Sequence, residues 1–264
     1  MRRTRAFALA VALIPPLLAG PPSARAADPV FARWSKVNTR AHKHADHAVV
    51  IVSLKPLGGV PGDMTSHQMR AVADLARRFG HGEIRAGLDQ NLVLPHVARD
   101  DLPALHAALI PLGLATANAG LASDIVACPG MDYCTLATAR SIPVAQALAS
   151  ALAPIEAETG PLAIRISGCI NACGHHHLGD IGLLGLDKAG VENYQVTLGG
   201  SPGPEMAIGE RAGPGLGPDA VVPGVVAMVR AFLGLRMPGE TFAAAVGRLG
   251  PAPFIDALYA GDAE

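Results

Sequence analysis

Residues 48–54, Ala48-Val49-Val50-Ile51-Val52-Ser53-Leu54, form a β-rich run that closes in the turn Gly58-Gly59-Val60-Pro61-Gly62. This predicts a strand and its exit. Thr65 and Gln68 then have the T-x-x-Q spacing of a capping box. Met69, Val72, Ala73 and Ala76 follow on one helical face until Gly80 stops it. Residues 82–86 and 91–95 read as two short strands around Gly87-Leu88-Asp89-Gln90. Asp100 or Asp101 is expected to cap a helix reaching about residue 112, with Pro103 tolerated in its first turn. Strand, helix, two strands and helix is the order of a ferredoxin-like α+β unit.

A second set of elements begins at residues 124–127. Ser141 is expected to cap a helix over Val144, Leu148 and Leu152. Residues 162–167 predict a strand running straight into Gly168, and strands over 179–186 and 194–198 follow. The tail reads as helical over 221–233, with Pro223-Gly224 delaying the start, and again over 240–249, with 254–259 packed behind. The expected division is a signal-like segment 1–27, a ferredoxin-like half-domain 28–117 and a cofactor-binding α/β domain 118–264. The fold class expected is α+β.

The chain has 264 residues, half of them apolar, and a net charge of −1. That is enough for a large core, and the charge offers nucleic acid nothing to grip. Aromatic residues are 4% of the chain, too few for a base-stacking platform. Gly213-Pro214-Gly215-Leu216-Gly217 lacks the preceding strand and following helix of a nucleotide site, so it reads as a loop. Electrons for any redox reaction would come from a separate donor protein.

Residues 1–27 have the layout of an export signal. Met1-Arg2-Arg3-Thr4-Arg5 is basic, 6–14 is apolar, and Ala24-Arg25-Ala26 matches a cleavage site. The apolar run is too short, and too broken by Pro15-Pro16, to span a membrane. An Ala/Pro/Arg-rich linker has the same look. Residues 28–47 read as a solvated entry segment. Within it His42, His44 and His47, with Asp46 between them, have ligand-like spacing but no accompanying thiol.

All four cysteines lie between residues 128 and 173. Cys128-x5-Cys134 and Cys169-x3-Cys173 are separated by 34 residues, and glycines border each pair. The spacing leaves three chemistries open: an iron–sulfur cluster, a zinc ion, or disulfides and free thiols.

Cys128-Pro129-Gly130-Met131-Asp132-Tyr133-Cys134, with Gly168-Cys169-Ile170-Asn171-Ala172-Cys173-Gly174, resembles the C-terminal half of the nitrite/sulfite reductase family, the sirohaem enzymes. Gln90-Asn91-Leu92-Val93-Leu94-Pro95 upstream and His175-His176-His177 downstream share the likeness, which spans about residue 28 to the end. The resemblance implies that Cys128, Cys134, Cys169 and Cys173 bind a [4Fe–4S] cluster and that Cys173 bridges it to the iron of sirohaem. It implies reduction of a small anion, sulfite or nitrite. Arg85, Gln90, Asn91, Arg140, Arg165 and Lys188 are the candidates to meet the cofactor's carboxylates. The three histidines are expected to pack or to support.

The family's anion-binding cations lie mainly in a first half that this chain lacks, so a second polypeptide or self-association is expected. The likeness begins where a linker from an upstream half would lie. Cytoplasmic residence is therefore expected, or the periplasm if the leader is genuine. Two other readings share some features: a cobalamin-pathway oxygenase of sirohaem type, and a secreted disulfide-bonded binding protein.

Overall fold

The computed structural model describes residues 28–203 and 206–261, so the signal-like segment lies outside them. The first unit is an antiparallel sheet of β1 (Thr39–Ala41), β2 (His47–Val52), β3 (Arg85–Ala86) and β4 (Leu92–Ala98), in the order β1-β2-β4-β3. Helices α1 (Pro29–Asn38), α2 (Ser66–Phe79) and α3 (Leu102–Leu109) complete it. Alternation along β2 turns Ala48, Val50 and Val52 inward, onto Val72 and Ala76 of α2 and Leu105 and Leu109 of α3.

The capping box of α2 is formed: the Gln68 amide donates to Thr65 Oγ1 at 3.2 Å, and the Thr65 amide donates to Gln68 Oε1 at 2.8 Å. Its buried stripe is Val72, Ala76 and Phe79, whereas Met69, expected inside, is 55% exposed. β4 outruns its expected end at Pro95. A proline is tolerated there because β3 pairs only Leu92 and Val93, and β2 is irregular opposite, between Ala48 and Val50. Asp101 stands at the N-cap of α3, but its side chain makes no capping bond; a 3-10 turn over Arg99–Asp101 leads into the helix, which ends at Leu109.

The solvated entry segment is corrected over residues 29–38, which are helix α1. Asp28 caps it by accepting the Val30 amide at 2.9 Å, Pro29 sits in its first turn, and Trp34 is fully buried. Trp34 packs on His106 of α3 with ring centroids 4.8 Å apart.

The second unit is a sheet in the order β5 (Val126–Ala127), β6 (Ile164–Ser167), β7 (Ile181–Lys188), β8 (Val191–Leu198) and β9 (Glu210–Arg211). β5, β6 and β7 run parallel and the rest antiparallel. All four residues of β6 are buried, as a central parallel strand demands. Helices α4 (Ile142–Leu152), α5 (Glu156–Thr159), α6 (Pro218–Leu235), α7 (Phe242–Leu249) and α8 (Ala252–Leu258) close the core.

α6 starts at Pro218 and carries Pro223 inside it, so the proline does not delay the helix. Gly224 beside it admits the α8 backbone: a Cβ there would lie 2.6 Å from the Leu258 carbonyl oxygen. α6 is long and apolar enough to cross a membrane, yet Val221, Val225, Met228, Val229 and Phe232 are spent on the core.

Buried polar groups join the two units. Lys55 Nζ meets Asp124 Oδ1 at 2.7 Å, with side chains 3% and 5% exposed. Asp124 also accepts from Asn91 Nδ2 at 3.0 Å and from the Gly120 amide at 2.7 Å. Arg33 bonds Glu156 at 2.7 Å, and Ser123 reaches the same carboxylate. A charge this enclosed is tolerated only when its partners are supplied, and here they come from both sides of the joint.

Candidate functional site

The site grows from the edge where the parallel strands β5 and β6 end side by side. Ala127 pairs with Ile166 in register, so Cys128 and the Ser167-Gly168 step leave the sheet together. The Cys128 amide donates to the Ile166 carbonyl at 3.1 Å, and the Gly168 amide donates to Cys128 Sγ at 3.0 Å. The two cysteine pairs, far apart in sequence, are thereby brought to one place. Amides aimed at a metal-bound sulfur orient it and tune the group it binds.

Close backbone contact explains the glycines. A Cβ on Gly168 would lie 2.9 Å from the Gly130 Cα, and one on Gly174 would lie 2.0 Å from the Ile166 carbonyl oxygen. The amides of Thr138 and Ala139 both donate to the Gly168 carbonyl, at 2.8 and 3.0 Å, stitching the first loop to the second. Two consecutive turns carry the second pair: Ala172 donates to the Cys169 carbonyl, and His175 to that of Ala172. Ala172 and His175 take φ of 56° and 50°, a left-handed conformation that tight turns impose.

All four cysteines are free thiols, with no disulfide among them. Cys128 and Cys169 are buried, Cys134 half-buried and Cys173 exposed. Among the described residues no three His, Cys, Asp or Glu side chains stand close enough to share a single ion. A four-iron cubane takes one thiolate per iron, so its ligands stand apart around the cluster rather than meeting at one point. Four free thiols on two interlocked glycine loops therefore fit a [4Fe–4S] cluster.

Family models match most of the described chain. Residues 42–112 match the nitrite/sulfite reductase ferredoxin-like half domain, and residues 122–260 match the nitrite and sulphite reductase 4Fe-4S domain. The chain belongs to the nitrite/sulfite reductase family. It is 34% identical over 158 residues to the ferredoxin–nitrite reductase of Synechococcus elongatus, covering 57% of this chain and 30% of that protein. It is 31% identical over 239 residues to a ferredoxin-dependent sulfite reductase of Mycobacterium tuberculosis, covering 86% of this chain and 41% of the relative. The solved structure of M. tuberculosis NirA aligns with a TM-score of 0.67 at 28% identity, over 83% of this chain and 41% of that one. The chain thus spans less than half the length of each of these three relatives. Its family is one of oxidoreductases that carry a [4Fe–4S] cluster and sirohaem.

The other residues singled out in the sequence fall into different surroundings. Gln90, left-handed at φ 57°, clamps the two units: its Nε2 donates to the Ala127 carbonyl at 2.7 Å and its Oε1 accepts the Ala127 amide at 3.1 Å. It also lines a cavity of about 340 Å³ with Cys128 and Tyr133. Asn91 is buried, accepting the Leu54 amide at 3.0 Å and donating to Asp124. Arg165 is buried and meets Asp89 at 2.5 Å, while its Nε has no hydrogen-bond partner. Arg140 pairs with Glu192 at 2.5 Å, Arg85 pairs with Glu83 at 2.6 Å, and Lys188 is exposed.

Of the three histidines after Cys173, only His176 is buried. Desolvation, then the neighbouring His177, pushes His176 down to about 4, so its ring is neutral at physiological pH. Ser141, expected to cap α4, makes no such bond and instead sets its Oγ 3.4 Å from Cys128 Sγ. That role, like the stitching by Thr138, has no local sequence signal, because both partners lie far away in the chain.

Proposed function

We propose that this chain is the cluster-bearing half of a sirohaem-dependent reductase that passes electrons to a small oxyanion, sulfite or nitrite. The observation that carries this reading is the graded exposure of four free thiols at one sheet edge, ending in the exposed Cys173. Enclosed sulfurs would keep a cluster from water, and the exposed Cys173 would be the one open to a group docked on the surface. The cysteine loops also expose Met131, Tyr133, Leu136 and Ile170, the last 80% exposed. Such apolar side chains offer cover for a flat macrocycle. Bound there, sirohaem would supply the iron at which the anion is reduced, and the cluster would supply it with electrons.

Cys128, Cys134, Cys169 and Cys173 hold the cluster in this reading, and Cys173 serves both groups. The Gly168 amide donates to Cys128 Sγ and fixes where that sulfur points. Arg85, Gln90, Asn91, Arg140 and Arg165 are this chain's contribution to the cofactor's surroundings. Each arginine already faces a carboxylate of its own chain. Most of the positive charge that the cofactor's carboxylates and the anion require then comes from a second half or a second copy, consistent with the partial coverage of the relatives. The electron donor is a separate protein.

Expression alongside sirohaem synthesis tests the reading. The expected product shows a Soret band, red chlorin-like absorption and cluster iron together, and Cys173→Ser loses the tetrapyrrole bands first. A colourless protein with four titratable thiols from the same cells overturns the cofactor assignment. Normal sulfite or nitrite turnover by a monomer, verified by sedimentation, overturns the need for a second half.

A further inference from the structure

A second group of ligand-type side chains lies on the first sheet, which does not carry the cysteines. His42 and His44 enter from the β1–β2 connection, His47 from the start of β2, His96 from β4 and His81 from the turn after α2. Neighbouring ring centroids stand 5.3 to 6.4 Å apart: His42 with His96 at 5.3 Å, His42 with His47 at 5.5 Å, and His81 with His96 at 6.4 Å. His81 and His96 are 39 and 54 residues from His42, so the fold assembles what the local spacing only hinted at.

The nitrogens facing this space are arranged as ligands are. His42 Nε2 and His96 Nδ1 are 3.1 Å apart. Two nitrogens sharing one ion at about 2.0–2.1 Å in a tetrahedral site stand roughly 3.3 Å apart. The far nitrogen of His96 lies 3.3 Å from Glu83 Oε2, and His47 Nδ1 lies 2.8 Å from Asp46 Oδ1. A carboxylate behind each ring fixes its proton on the outer nitrogen and leaves the inner one with a free lone pair, the arrangement that supports metal-bound imidazoles. His42 differs: its Nδ1 accepts the His44 amide at 2.9 Å. Its ring must shift a proton to that nitrogen and give up the amide to bind through Nε2.

The geometry points to a binding site for a borderline divalent transition-metal ion, held by His42, His47 and His96 with His81 or water completing it. Three imidazoles favour zinc, nickel or copper over magnesium or calcium. No three of these side chains yet share one point. His44 and His81 are exposed and His42, His47 and His96 only half-buried, so rings on a surface turn close on the ion by rotating about their side-chain bonds.

Zinc chloride is the probe, added to the cofactor-loaded full chain, whose cysteines are then occupied. One equivalent is expected to survive gel filtration, with a first shell of nitrogen and oxygen near about 2.0 Å by X-ray absorption and no sulfur near about 2.3 Å. His96→Gln and His47→Gln are expected to lose that equivalent. Glu83→Gln, which leaves every ligand in place, is expected to weaken zinc by about tenfold. Cluster iron content serves as the check that each variant is folded. No retained zinc, a sulfur shell, or zinc binding unchanged in His96→Gln would each overturn the site.

Discussion

Adding one methyl group at Gly174 tests whether the second cysteine loop is held by backbone contact. Gly174 follows Cys173 directly, and its new Cβ would sit 2.0 Å from the Ile166 carbonyl oxygen and 2.8 Å from its carbon. Ordinary contacts are about 3.5 Å, so roughly 1 Å or more must be relieved. Ile166 cannot give way, because β6 is bonded to β5 on one side and β7 on the other. The loop moves instead, breaking the bond from the Gly174 amide to Ser167 Oγ at 3.1 Å and carrying Cys173 with it. Overpacking of this kind costs about 1–3 kcal/mol. Misplacing a reacting group by about 1 Å costs on the order of 100-fold in rate. Gly174→Ala is therefore expected to fold yet to lose most of its iron and acid-labile sulfide, with visible absorption to match. Gly234→Ala is the control: it lies within α6 with nothing inside 4 Å of the new methyl, and should stabilise by about 0.5–1 kcal/mol. Full iron and sulfide in Gly174→Ala would refute the account of the loop.

Lys55→Met leaves the Asp124 carboxylate buried with only Asn91 and Gly120 beside it, and should cost about 3–5 kcal/mol in urea unfolding. Adding Asp124→Asn should recover much of that loss, and a single-variant cost under about 1 kcal/mol would contradict the burial argument. His176, held at about 4 in the fold against 6.5 when exposed, binds its proton only in the unfolded chain between those values. Stability should consequently fall as pH drops from 6.5 towards 4, by up to about 3 kcal/mol, and His176→Phe should flatten that slope in unfolding midpoints taken across the window. Asp28→Ala removes the cap of α1 and should cost about 1 kcal/mol, seen as a lower thermal midpoint; no change would mean the cap is idle.

The sequence by itself settled the local features whose causes are local. The T-x-x-Q signature is the capping box that forms, the β-rich run at 48–54 holds β2 through Val52, and the strand expected before Gly168 is β6 from Ile164. The cysteine spacing alone leaves three chemistries open, and the family resemblance rests on the cysteine motifs together with residues 90–95 and the histidines after Cys173. Even helix α1 had a signal, Asp28-Pro29 followed by Phe31 and Trp34 three residues apart, hidden beneath the histidines that made the segment look solvated. Tertiary structure alone decided what depends on distant partners. Ser141 turns to Cys128 rather than capping α4, since the parallel pairing of β5 with β6 brings the first loop to the second. Gln90 and Asn91 brace the joint between the two units, and Arg165 meets Asp89, because burial makes a polar side chain seek whatever partner the fold supplies. Five histidines gather on one sheet for the same reason: which residues face each other across strands is set by register and turn, and no stretch of sequence contains both sides of such a contact.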